Sequence, residues 1–260
     1  MPTPETGRGI NIEALSCRSP KTNEELIKLL DENFAPVREK SLIVLPEYFL
    51  HGEGAFDGKP LHDPMVTTLI NFAKNKGAHI VSGMIEQTKV GEKYVTGLFI
   101  SPSGLIEMQR KQTPTSFERS SGIIPGVAET QVFNLDKGTA TLSVVMCIES
   151  FRLDAQLRRL TSDIFVNPRG FGLDDDKYGK FSETWLSHNQ DLARMGKRFV
   201  VGATGFEKDN GQLAEIIDFQ GMVLGSTLKP NEVVSAFADL DLLKEYREGR
   251  CKSKLFVPRF

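Results

Sequence analysis

Short apolar runs that stop at a turn residue recur along this chain, and their spacing constrains its fold more than any other feature. Residues 10–16 alternate as a strand. Residues 23–40 carry apolar side chains at helical spacing (Leu26, Ile27, Leu29, Leu30, Phe34) behind a candidate N-cap, Thr22, and 41–45 form a continuously apolar strand. The same order follows again, with a helix from Asp63 to Gly77 and a strand over 79–84. Segments 94–100 and 105–110, joined by Ser101-Pro102-Ser103-Gly104, then read as a hairpin and break the alternation. Beyond them the pattern predicts a strand at 140–146, a helix at 153–160, a strand at 163–167, a helix at 181–195 and a strand at 199–203. A second hairpin, 214–219 with 222–226, turns at Gln220-Gly221, and 233–240 makes one more strand. About a dozen strands with four or five helices, in this mixture of βα units and hairpins, predict an α/β fold of four layers, an α-β-β-α sandwich. No repeat, low-complexity tract or linker divides the chain, so residues 1–260 are read as a single domain.

Charge excludes some functions. Lys plus Arg number 32 against 34 Asp plus Glu, so no broad positive field favours nucleic acid or anionic lipid. No stretch approaches the roughly 18 uninterrupted apolar residues of a membrane span, and the N-terminus lacks a signal-peptide core. The expectation is a cytoplasmic protein acting on a small molecule, with neither nucleic acid nor membrane as partner. Cys17, Cys147 and Cys251 match no disulfide framework and are read as free thiols. His51, His62, His79 and His188 lie too far apart in sequence to suggest a metal centre, and none is expected.

Strand ends are where rigidly placed side chains become reachable. Cys147 closes the run 141–146 and precedes Glu149 and Ser150, which puts it on a strand-to-helix turn. A nucleophile there is exposed yet fixed, and the following backbone amides, Ile148 first, face an oxyanion at the attacked carbon. A lone cysteine after an apolar strand is nevertheless more often core. Glu47 ends a different apolar strand, 42–45 followed by Pro46. It is either a solvated strand end or a placed base, and a thiol with an ordinary pKa near 8.5 needs a base or a cation at neutral pH. Lys111 and Glu118 flank a Pro-containing turn. Such a pair is usually surface, but in a site the ammonium stabilises an oxyanion and the carboxylate holds it or relays a proton. Phe49 and Phe117 are candidate pocket walls beside these segments, although phenylalanine is more often core.

Together the segments resemble the nitrilase superfamily, carbon-nitrogen hydrolases with a Glu-Lys-Cys triad. Leu45-Pro46-Glu47-Tyr48-Phe49 looks like the glutamate motif, Arg110-Lys111 with Pro114-Thr115 and Glu118-Arg119 like the lysine motif, and Val145-Met146-Cys147-Ile148-Glu149 like the cysteine motif. Residues 163–168, 192–194 with 199–202, and 215–224 leading to 238–241 are similar to later landmarks of the family. The resemblance implies the α-β-β-α fold, hydrolysis without a cofactor, and a homodimer or larger homo-oligomer. It implies catalytic roles for Glu47, Lys111, Cys147 and Glu118, and substrate-binding roles for Asn167, Arg169 and Trp185 through their family-like positions.

The expected reaction begins when Glu47 takes the thiol proton and Cys147 attacks an amide carbon. Lys111 and the Ile148 amide stabilise the oxyanion, and water activated by Glu47 or Glu118 then opens the thioester. Four alternatives stay open: a nitrile substrate, acyl transfer to an amine, a non-catalytic scaffold of the same fold, and a Cys-His enzyme using His188 or His51. The acyl group is expected to be set by loops 49–60 and 169–180.

Overall fold

Side chains along a strand alternate in direction, and along Ser41–Val44 (β2) the two directions lead into different cores. Leu42 and Val44 join a cluster with Ile12, Val81, Phe133, Leu142, Val144, Ile164, Val166 and Val201, whereas Ile43 packs with Leu26, Leu30, Leu69 and Ile80. The first cluster lies between two sheets and the second between a sheet and its helices. The computed structural model describes residues 8–34, 41–51, 56–127, 131–135, 138–152, 161–170, 175–205 and 213–250.

One sheet has six strands: Gly9–Ser16 (β1), β2, His79–Gln87 (β3), Lys93–Ile100 (β4), Ile106–Arg110 (β5) and, reached last by the chain, Glu232–Asp239 (β12). Their order is β12-β1-β2-β3-β4-β5, with β1, β2 and β3 parallel and the remaining neighbours antiparallel. The other sheet comprises Val132–Leu135 (β6), Ala140–Val144 (β7), Ile164–Arg169 (β8), Phe199–Thr204 (β9), Ala214–Ile217 (β10) and Val223–Thr227 (β11). Its order is β11-β10-β9-β8-β7-β6, and it likewise has three parallel central strands, β7, β8 and β9. Asn23–Phe34 (α1) and Pro64–Lys76 (α2) cover the outer face of the first sheet. Asp175–Gly196 (α5) covers that of the second through Leu192 and Ala193 against Phe165, Val200 and Ile217. Two short helices, Ser116–Ser120 (α3) and Glu149–Arg152 (α4), follow β5 and β7, and Leu240–Arg247 (α6) follows β12. The four-layer α-β-β-α sandwich is therefore the fold.

Local chemistry accounts for the helix limits. Asp63 accepts from the Met65 amide with Pro64 in the first turn, and Gly77 closes α2 in the left-handed region at φ 62°. Several elements differ from the sequence reading; β3, for example, runs on to Gln87 instead of ending at 84. The last helix covering the second sheet starts at Asp175, six residues before 181. The strand read as 233–240 ends at Asp239, whose carboxylate caps the unexpected α6 by accepting from the Leu242 amide at 2.8 Å. The short edge strand β6 was also unexpected, because four residues give too little periodicity to register. The helix read at 153–160 and the end of the one read at 23–40 lie outside the described residues. No helix among the described residues is long and apolar enough to cross a membrane.

Candidate active site

Parallel strands end on the same side, and Glu47, Cys147 and Gly170 all follow the C-terminal ends of parallel strands, β2, β7 and β8 respectively. Lys111 follows β5 directly. The structure brings these points together. Glu47 is fully buried; its Oε1 accepts from Lys111 Nζ at 2.7 Å and its Oε2 from the Gly170 amide at 2.7 Å. Its own amide donates to the Arg169 carbonyl at 3.3 Å. Behind it β3 approaches so closely that only glycine fits: a Cβ on Gly83 would lie 1.8 Å from the Glu47 carbonyl oxygen. The Gly83 amide meanwhile donates to Pro46 at 2.9 Å. Gly83→Ala is expected to destabilise the protein by about 1–3 kcal/mol through forced displacement of the Glu47 loop, measured by urea denaturation. An unchanged midpoint would show that the loop moves without cost.

Lys111 donates a second bond, also 2.7 Å, to Glu118 Oε1, and all three side chains are essentially excluded from water. Glu118 sits in α3, where it completes a capping box with Thr115. Its Oε2 accepts from the Thr115 amide at 2.5 Å and its Oε1 also accepts from Tyr48 OH at 2.5 Å. The two carboxylates consequently differ. Burial pushes Glu47 up to about 7; the Lys111 ammonium opposes this, and Glu118 adds to it. Burial also acts on Glu118, but Lys111, Tyr48 and Thr115 outweigh it and hold the carboxyl below its ordinary value. Burial disfavours the Lys111 charge, yet its anionic neighbours keep the ammonium above the usual lysine range.

Cys147 is half-buried and adopts φ 49°, a left-handed conformation that costs a residue bearing a Cβ about 1–2 kcal/mol. Such strain is characteristic of functional sites. Its amide donates to Pro168 at 2.9 Å, and its carbonyl accepts from Ser150 at 3.1 Å and from Asn167 Nδ2 at 3.5 Å. Burial first, then Glu47, push the thiol up to about 12; Lys111 and the neighbouring Ile148 amide pull it down. At that value roughly one thiol in 10⁵ is ionised at neutral pH, so attack needs a proton acceptor. Glu149 ties the cysteine turn to the lysine loop: its Oε1 accepts from the amides of Gln112 and Thr113, and its Oε2 from Met146.

The remaining sequence candidates separate. Asn167 is fully buried beside Cys147, with Oδ1 lacking a protein partner among the described residues. Trp185 packs edge-on to Phe151, which stacks on His188, and His188 bonds Ser150 Oγ at 3.1 Å. Phe117 is 66% exposed and meets Phe56, which in turn meets Tyr48, so it stands at the rim. Two expectations are corrected. Phe49 is buried in the core between the first sheet and its helices, packed with that cluster and not at the rim. The Arg169 side chain is buried in an ion pair with Glu215 and is not presented to a substrate. The reading of single residues missed Tyr48, Gly170 and the structural use of Glu149. For Thr115 a signal existed, since Thr-x-x-Glu before a short helix spells a capping box. Among the described residues no group of His, Cys, Asp or Glu is placed to hold a metal ion.

The family model for carbon-nitrogen hydrolases matches residues 19–248. A CN-hydrolase superfamily protein from Xanthomonas campestris, solved with an arsenic adduct in its active site, is similar with a TM-score of 0.78 at 18% identity, over 96% of this chain and 99% of that one. Saccharomyces cerevisiae Nit3, a member of branch 10 of the nitrilase superfamily, superposes with a TM-score of 0.76 at 16% identity, over 95% and 96%. A mutant amidase from Nesterenkonia sp. AN1 showing covalent addition of the acetamide moiety of fluoroacetamide at its active site cysteine gives 0.68 at 17% identity, over 96% and 97%. No curated protein matches the chain in sequence.

Proposed function

This chain belongs to the carbon-nitrogen hydrolase family, and from that premise we propose that it hydrolyses a small, non-peptide amide to a carboxylate and ammonia or an amine through a thioester on Cys147. The observation that carries the reading is Lys111, clamped at 2.7 Å by both Glu47 and Glu118 and electrostatically coupled to the Cys147 sulfur. Glu47 takes the thiol proton as sulfur attacks the carbonyl carbon, and the electron pair of the C=O bond moves to oxygen. Lys111 and the Ile148 amide stabilise that oxyanion. Collapse breaks the C–N bond, and the proton held by Glu47 leaves on the nitrogen. Water then gives a proton to Glu47 and attacks the thioester carbon; the C–S bond breaks, the carboxylic acid leaves, and Glu47 returns its proton to the Cys147 sulfur. Glu118 receives three hydrogen bonds and stays ionised, so in this scheme Glu47 alone shuttles the proton.

The scheme predicts a pH profile. Burial raises Glu47, so below about 7 it is protonated and cannot accept the thiol proton. Hence kcat/KM is expected to rise with pH through an apparent pKa near 7, reported by stopped assays over about pH 5 to 9. A flat profile would refute Glu47 as the base. The chemistry itself is tested by ammonia release from a panel of ω-amides, aliphatic amides, carbamoyl amino acids and nitriles. Turnover of amides supports the proposal; turnover confined to nitriles would replace it with a thioimidate route on the same cysteine.

A further inference from the structure

The C-terminal end of β8 holds both reacting groups at once. The Pro168 carbonyl accepts the Cys147 amide at 2.9 Å, the Arg169 carbonyl accepts the Glu47 amide at 3.3 Å, and the Gly170 amide donates to Glu47 Oε2 at 2.7 Å. The Arg169 carbonyl also accepts the Gly205 amide at 2.9 Å. Any movement of these three peptide units therefore moves the thiol and the carboxylate relative to each other.

The side chain of Arg169 is the fastening of that segment. Its guanidinium meets Glu215 with Nη1 to Oε1 at 2.8 Å and Nη2 to Oε2 at 2.5 Å, and Nη2 also donates to the Leu213 carbonyl at 2.9 Å. Asn189 on α5 donates to Glu215 Oε1 at 2.6 Å, and Trp185 lies with its ring centre 5.3 Å from the guanidinium. β9 makes room by carrying Gly202, where a Cβ would fall 2.2 Å from Glu215 Oε1 and 2.5 Å from Arg169 Nη2. Arg169 and Glu215 are both almost wholly excluded from water. A pair desolvated this completely adds little net stability over an apolar replacement, and what it supplies is a fixed geometry. The bidentate contact spans β8 and β10, and Asn189 links it to the helix above.

We infer that the Arg169-Glu215-Asn189 cluster is a positioning device, holding Glu47 against Cys147 by fixing the backbone of residues 168–170. The inference rests on the proposed function, in which Glu47 accepts the thiol proton. Arg169 touches no reacting atom, so its influence passes through the Gly170 amide and the Pro168 carbonyl.

The test needs no identified substrate. Alkylation of Cys147 by iodoacetamide is followed by intact mass across pH, with Cys147→Ala as the blank for other thiols; sulfur displaces iodide and its proton goes to Glu47. In the unaltered protein the rate is expected to rise through an apparent pKa near 7. Arg169→Lys keeps the charge but cannot bond both carboxylate oxygens. With Gly170 loosened, Glu47 loses a bond to its ionised form, so the limb is expected to move up by about one pH unit and the rate at pH 7 to fall about fivefold. A role confined to stability would lower the melting temperature and leave the limb in place. Arg169→Lys that melts cooperatively and keeps the original limb and rate overturns the inference. Should that variant not fold, Asn189→Ala decides, since it removes one donor from Glu215 and leaves the ion pair. A shift in the same direction with roughly a two- to threefold slower rate supports the inference, and an unaltered profile overturns it. Absence of any limb near 7 in the unaltered protein would instead refute Glu47 as base, and the inference would fall with it.

Discussion

Lys111→Met is expected to destabilise the protein by about 3–5 kcal/mol near pH 8 and to lower turnover by roughly 10²–10³-fold. The methionine fills most of the lysine's volume, so the loss is electrostatic. Without the ammonium, Glu47 and Glu118 face each other across a site from which water is excluded, and the attraction that opposes their protonation is gone. Glu47, already raised by burial, then rises further, and Glu118 loses the attraction that outweighs its own burial, so it rises too. A carboxyl raised on folding takes up a proton, so its contribution is fully present below the unfolded pKa and is lost as pH rises through the folded one. The variant should therefore be markedly less impaired at about pH 5 than at about pH 8, as urea denaturation at the two values would show. Adding Glu118→Gln removes one of the two facing charges. It should recover part of the stability at the higher pH without restoring turnover, because the oxyanion donor is still missing. Equal losses at both pH values would mean that the two carboxylates are not held by Lys111.

Cys147→Ala is expected to lower amide turnover by on the order of 10⁴-fold or more, since no thioester can form and the proton held by Glu47 has no nucleophile to come from. Intact mass should show a substrate-derived adduct on the unaltered protein and none on the variant. An adduct that persists without Cys147 would sink the assignment. Stability separates the chemical role from the structural one. At φ 49° alanine keeps the strain of the native backbone, whereas glycine relieves it. Cys147→Gly should consequently be more stable than Cys147→Ala by roughly 1 kcal/mol, measured by denaturant midpoints, while being equally inactive. If glycine is no better than alanine, the turn is not strained and its conformation does not bear on the placement of the thiol.

Particular residues show how much of this was legible beforehand. Glu47 and Cys147 drew notice because each follows an apolar run whose end is visible in a few neighbouring residues, whereas Lys111 and Glu118, which read as surface by themselves, entered only through the resemblance of the three motifs taken together. Phe49 was equally close to the glutamate motif, yet it belongs to the helix-side core. Its direction depends on the path of the chain after β2, which is set by β3 through Gly83 and not by the motif itself. Arg169 was read by its position as a substrate contact, and the structure commits it to Glu215, 46 positions away. Tyr48 passed unnoticed because its hydroxyl acts on Glu118, 70 positions away.

By itself, then, the sequence determined most of the elements and their order, the sandwich they build, and the strand ends at which a thiol, an ammonium and the Glu47 carboxylate emerge. Those follow from periodicity and turn chemistry, which act over a few residues. Only the tertiary structure decided which carboxyl is raised by burial and which is held low by its neighbours. The two have the same chemistry and the same lysine partner. They differ in that Glu47 reaches across 123 positions to a single backbone amide, whereas Glu118 gathers Tyr48 and its own helix cap. Proton affinity depends on burial and on the donors surrounding each oxygen, and those are fixed when distant segments pack.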